Sequence, residues 1–303
     1  MHKYLRAIGF SSIKKRKEYE ELIRFCVQDA TERAYTTKEP LLSKEVTEDD
    51  NMLAVYYRDF AEGIGLAVCG EYDIDNHFSY DYCFPYLQGD GITSHEDITV
   101  ERHSAEESYA GICDEIKMGV TLIFYLQNMV PYIKARNTDS LPMKGTSVTL
   151  SGLSVQGSIM MPLKKNERDI IKTKKASMSR EQLMKAARSG DEDAIESLTL
   201  EDMDTYTSIS KKIHQNDIYT IIDTYFMPYG VECDLYSIMG EILSVEEVVN
   251  GVTNERIIKM SLLCNELTFD VCINKEDLFG EPEVGRRFKG VIWLQGHINF
   301  PQQ

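Results

Sequence analysis

Apolar positions along this chain recur in two rhythms, and the sharpest lies near the C-terminus. Over Arg286 to Phe300, the residues Phe288, Gly290, Ile292, Leu294, Gly296, Ile298 and Phe300 take every second position. Arg287, Lys289, Val291, Trp293, Gln295, His297 and Asn299 fall between them. Successive side chains of a strand point to opposite faces, so this spacing predicts a long strand with one buried face. The sole tryptophan then falls on the more polar face, where a large aromatic needs a cover from a neighbouring part of the chain or from a partner.

A helical rhythm opens the chain. Tyr19, Leu22, Ile23, Cys26, Val27, Ala30 and Ala34 follow the three-and-four spacing of an amphipathic helix over Lys15 to Ala34. Strand-like segments follow: Met52 to Phe60 and Ile64 to Gly70 around an Ala61-Glu62-Gly63 turn, then Phe78 to Phe84, Asp97 to Arg102 and Val120 to Gln127. Thr146 to Met161 reads as two strands broken near Gly152 or Gly157. One helix and several antiparallel strands predict an α+β domain over residues 1–161.

The pattern changes at Pro162. Lys164, Lys165, Arg168, Lys172, Lys174, Lys175 and Arg180 form a basic connector, and an acidic helical section follows up to residue 215. Ser179 with Gln182 is a capping-box signature, Gly190 a helix stop, Asp191 a cap for a short second helix and Thr199 a cap for a third. Acidic residues from Asp191 to Asp204 make the basic connector their natural electrostatic partner.

Residues 216–303 read as strands again: Ile218 to Phe226, a long Cys233 to Val249 bending at Gly240, an Asn250-Gly251 turn, Arg256 to Cys264, and Leu267 to Asn274. With the final strand these make a small OB-like β-barrel, whose fifth strand must come from Ile218 to Phe226. The expected fold is therefore α+β: an N-terminal antiparallel sheet with a helix, a short acidic helical section and a C-terminal barrel.

Composition narrows the function. Asp and Glu number 49 against 33 Lys and Arg, giving a net charge of −16. Such a surface repels polyphosphate backbones and anionic membranes. No segment approaches the roughly 18 apolar residues of a spanning helix, and the first residues lack the apolar core of a signal peptide. The seven cysteines are scattered without a C-x-x-C pair, as expected of reduced thiols in a cytoplasmic protein.

Candidate chemistry is sparse. His77, Ser79 and Cys83 alternate on one strand face and supply residue types for a hydrolase. Same-face neighbours on a strand stand about 7 Å apart, too far for mutual proton transfer. Gly63-x-Gly65 lies within a strand and lacks a dinucleotide fingerprint. Ser11-x-x-Lys14 and Ser12-x-x-Lys15 match a bare S-x-x-K pattern and read as a helix start. No metal and no cofactor are expected. His103 with Glu106 and Glu107, and Glu232 with Asp234, are the nearest approaches to a ligand set. Lys289, Trp293, Gln295 and His297 remain as the candidate binding residues, an aromatic among hydrogen-bonding groups of the kind OB barrels use to stack bases.

Four phrases carry a family likeness: MHKYLRAIGF, SLTLEDMDTYTSISKKI, MPYGVECDLYSIMGEI and EPEVGRRFKGVIWLQGHINF. The whole chain resembles a family of clostridial-type bacterial proteins known only as a domain of unknown function. That resemblance implies a cytoplasmic bacterial protein and brings no activity or site. The expected function is a non-enzymatic interaction or regulatory protein with a protein partner. The alternatives are a nucleic-acid or small-ligand binder using the Trp293 face, with nucleic acid disfavoured by charge, and a hydrolase using His77, Ser79 or Cys83.

Overall fold

A computed structural model describes residues 2–38, 52–102, 108–116, 119–141, 145–163, 179–213 and 222–301. The chain starts with a 3-10 helix, Lys3–Ile8, and then forms helix α1, Arg16–Gln28. A four-stranded antiparallel meander follows, built from β1 (Glu32–Thr37), β2 (Met52–Ala61), β3 (Ile64–Tyr72) and β4 (Phe78–Leu87) in that spatial order. The turn between β2 and β3 is the expected one, with Gly63 at φ +65°. β1 corrects the expectation of a helix to Ala34. Ala30 and Ala34 keep the helical spacing, but Glu32 pairs with Tyr57 and Thr37 with Met52, so inter-strand hydrogen bonding overrides the local period.

The second sheet begins with the meander β5 (Ile98–Arg102), β6 (Tyr109–Glu115) and β7 (Val120–Leu126). Helix α2, Met129–Asn137, carries Pro131 in its first turn, where a missing N–H costs nothing. β8 then runs unbroken from Ser147 to Met160. The expected break at Gly152 or Gly157 is absent because these glycines face the core. A Cβ on Gly157 would lie 2.3 Å from the Phe288 ring, and one on Gly152 would lie 2.9 Å from Ile292. They are places of close approach rather than punctuation.

After α3 (179–188) and α4 (Glu192–Ile213) come β9 (Tyr225–Pro228), β10 (Leu235–Val249), β11 (Arg256–Cys264), β12 (Leu267–Asn274), β13 (Leu278–Phe279) and β14 (Arg287–Asn299). Asp191 caps α4 as expected, accepting from Ala194 N at 3.1 Å. Thr199 starts no third helix, since its hydroxyl bonds back to Ile195 O inside a continuous α4. Of the basic connector, Arg180 lies within the described residues and reaches Glu201 and Asp202 on α4; the lysines of 164–175 and Arg168 lie outside them, as do 103–107 and 218–221.

Five strands close into a barrel in the cycle β8-β12-β11-β10-β14-β8. Every pairing is antiparallel except β12 with β8. Read from β10, the cycle has the OB order, with its single parallel pair between the third and fifth strands. The fifth strand is Ser147–Met160, made earliest in the chain, and not Ile218 to Phe226. β9, where that segment ends, pairs only along β10. Sequence order hid this, because a strand pattern does not reveal its partner.

Phe288, Ile292 and Leu294 are fully buried, as the alternation of β14 predicted. Much of the opposite face is buried as well: Arg287 is 4 % exposed, Trp293 6 % and Gln295 0 %. The cover comes from the first sheet and the 3-10 helix, which lies against β8 and β12. Asn250 Nδ2 donates to Ile8 O at 2.8 Å, Thr253 Oγ1 to Gly9 O at 2.6 Å and Cys272 Sγ to Ala7 O at 3.8 Å. The outer surface of β12, part of the usual OB recognition face, is thus occupied by the chain's own first residues.

Candidate functional site

β14 delivers the four candidate residues to four different environments. Trp293 pairs with Leu235 and Leu153 on the two strands that flank β14, and its ring lies beneath the N-terminal segment. Tyr4 stacks on it at 5.4 Å between centroids and 21° between planes; His2 lies 4.6 Å away and Tyr125 5.0 Å away. Its indole Nε1 donates to Asp234 Oδ2 at 2.7 Å. A tryptophan with its faces packed and its N–H bonded is not open to stack a base. The expected cover is intramolecular. Asp234, weighed as a ligand donor, serves here as the indole acceptor.

Gln295 is a structural staple. Its Nε2 donates to Pro85 O at 2.8 Å, and its Oε1 accepts from Gln127 Nε2 at 2.9 Å and Leu87 N at 3.3 Å. Gln127 also donates to Leu87 O at 2.9 Å. The two amides satisfy the backbone of β4 where the first sheet meets the barrel, which explains a buried glutamine on a strand that pattern reading would expose.

Lys289 lines a groove of about 600 Å³ on the outside of the barrel. Its floor is the β-bulge where β14 passes β8, with register shifting between Gly290 and Ile292, and Val155 and Gln156 lie on the opposing strand. Bulges re-aim side chains and occur beside binding sites. Lys3 from the 3-10 helix and Lys289 bring two ammonium groups; Tyr229 and Phe279 bring rings that are 50 % and 81 % exposed. The acid of the groove, Asp277, is ion-paired with Arg6. Among the described lining residues, two lysines thus stand beside a single acid, on a protein of net charge −16.

His297 lines a second cavity, of about 150 Å³, where the end of β14 meets β1, β2 and β4. Burial lowers the pKa of its imidazole. Glu32, Tyr57, Asp59 and Tyr86 converge on the same space.

The residues weighed for hydrolysis are not assembled. His77 and Ser79 are exposed, and His77 Nδ1 lies 3.6 Å from Asp73. Cys83 is buried, with Tyr19 Oη 2.9 Å from its sulfur, and burial raises its pKa. A low-pKa, accessible thiolate is what nucleophilic catalysis requires. Lys3, Tyr229 and Phe279 escaped sequence reading because they come from three separate segments and follow no spacing. The signal available was the conjunction of Lys289 with a bulge-forming Gly157 and Gly290.

A model of the family described as "Domain of unknown function, E. rectale Gene description (DUF3881)" matches residues 5–296. Comparison with curated proteins and with solved structures found no match. Among the described residues no helix is long and apolar enough to cross a membrane.

Proposed function

The chain belongs to that family of unknown function, and we propose that it is a non-catalytic binding protein whose barrel-side groove takes a small organic anion. The observation that carries this reading is the pair Lys3 and Lys289 on one groove whose acid, Asp277, is already paired with Arg6. A carboxylate or phosphate would sit against the ammonium groups, while Tyr229 and Phe279 cover a flat apolar body. A volume of about 600 Å³ suits a ligand of nucleotide or cofactor size. Burial in a concave, partly apolar site strengthens such a charge contact relative to open water.

The interaction or regulatory role expected from sequence fits a sensor of this kind, with ligand occupancy altering what the protein contacts. Recognition of single-stranded nucleic acid through Trp293 is less well supported, because its ring is covered by His2, Tyr4 and Tyr125.

Calorimetric titration with adenosine monophosphate, phenyl phosphate and benzoate tests the proposal. At least one should bind, and Lys289→Gln or Lys3→Gln should weaken it at least fivefold, with further weakening at high salt. Failure of all three to bind, or binding untouched by both substitutions, refutes it.

A further inference from the structure

We propose that the cavity between the four-stranded sheet and the end of β14 binds a small organic cation, a protonated amine of about six non-hydrogen atoms. The volume, about 150 Å³, is that of a cavity able to hold a benzene-sized molecule.

Charge selects the class. Two carboxylates, Glu32 and Asp59, line the cavity, and among the described residues no lysine or arginine does. Arg58, between Tyr57 and Asp59 in sequence, turns to the other face of β2. There it pairs with Asp29 at 2.9 Å and lies 5.5 Å from the Phe25 ring centroid. Neither Glu32 nor Asp59 has an ion-pair partner among the described residues. An anion entering here would meet two like charges; an ammonium would meet two opposite ones.

The walls suit the same ligand. Tyr57 and Tyr86 pack edge to face at 5.8 Å and 77°. Their hydroxyls are committed elsewhere: Tyr57 Oη donates to Gln127 O at 3.0 Å, and Tyr86 Oη donates to Asp59. The rings remain as π surfaces, which attract a cation held near them. Asp59 keeps lone pairs beyond the one that Tyr86 uses. Burial chiefly raises the pKa of both tyrosines, with the Asp59 hydrogen bond and charge adding to it at Tyr86. Burial lowers the pKa of His297 and so favours the neutral imidazole, which has one ring nitrogen able to accept an N–H. Donors on a protonated amine match this set; a neutral alcohol supplies one donor and no charge.

The cavity shares no lining residue with the anion groove, so the two readings stand or fall separately. Titration of the full chain at pH 7 with cyclopentylamine, cyclopentanol and cyclobutanecarboxylate decides it. These probes have nearly one shape and carry a positive, zero and negative charge. The amine should saturate a single site, with the alcohol and the carboxylate each at least tenfold weaker. Glu32→Gln should weaken the amine at least fivefold while Lys289→Gln leaves it unchanged. Asp59→Asn, which keeps an acceptor for Tyr86, should act like Glu32→Gln. Glu32 is exposed, so its substitution tests the idea even if the Asp59 variant fails to fold. Equal binding of amine and alcohol, preference for the carboxylate, no binding of any probe, or an amine affinity indifferent to Glu32→Gln would each overturn the assignment.

Discussion

Replacing Tyr4 with alanine should uncover Trp293, and because the chain contains one tryptophan the result can be read without a label. Tyr4 is 3 % exposed and Trp293 6 %. Their rings stack at 5.4 Å. Removing a buried aromatic side chain costs about 3–5 kcal/mol when the surroundings cannot collapse, and about 0.5–1.5 kcal/mol of that belongs to a ring pair. The space beside Trp293 would open onto the groove that Tyr4 also lines, so water would enter and limit the cavity cost. A loss of about 3 kcal/mol is expected. Emission from Trp293 should shift to longer wavelength and become quenchable by acrylamide, and urea melts should show a lower midpoint with a nearly unchanged slope. Tyr4→Phe should keep the emission of the native protein, since the stack needs only the ring. An unshifted spectrum with a loss below 1 kcal/mol for Tyr4→Ala would refute the claim that the N-terminal segment covers the tryptophan.

Two further outcomes follow from buried charge. Arg287 Nη1 donates to Ile222 O at 2.8 Å, and Nη2 donates to Met161 O at 2.8 Å, so one guanidinium holds both ends of the segment between β8 and β9. Arg287→Met should cost about 3 kcal/mol by removing the donors that the Met161 and Ile222 carbonyls share, and limited proteolysis between residues 163 and 222 should quicken; an unaltered melt and digestion pattern would contradict the clamp. His2 has its pKa lowered to about 4 by burial and by the neighbouring N-terminal and Lys3 charges. A depressed histidine means that the unfolded chain binds the proton more readily, so its contribution is complete above about pH 6.5 and is lost as pH falls towards 4. Stability measured across that window should fall more steeply in the native protein than in His2→Gln, and parallel curves would remove His2 as the cause.

Most strands were legible because alternation is local, and β14 showed its core face in the spacing of Phe288, Ile292 and Leu294. What could not be read was pairing. β8 looks like any strand, and only Gly152 and Gly157, which make room for Ile292 and Phe288, mark it as a barrel partner. The same limit hid the site. Alternation placed Lys289, Trp293, Gln295 and His297 on one side of a strand, but did not show the 3-10 helix and the first sheet covering the middle of that side. Of these four, Lys289 and His297 line the two cavities described. β1 was missed because Ala30 and Ala34 happen to fit a helix that stops at Gln28.

The pairing of Ser147 with Asn299 and of Met160 with Arg287 has a consequence for biosynthesis. During translation the earliest barrel strand must wait, its edge unsatisfied, until β14, which follows every other barrel strand in the chain, has been made. Contacts so distant in the chain form slowly, and an exposed strand edge invites pairing with other nascent chains. A chain cut off before β14 would therefore lack the seam that closes the barrel and be left with a sticky, unfinished sheet rather than a slightly shorter protein.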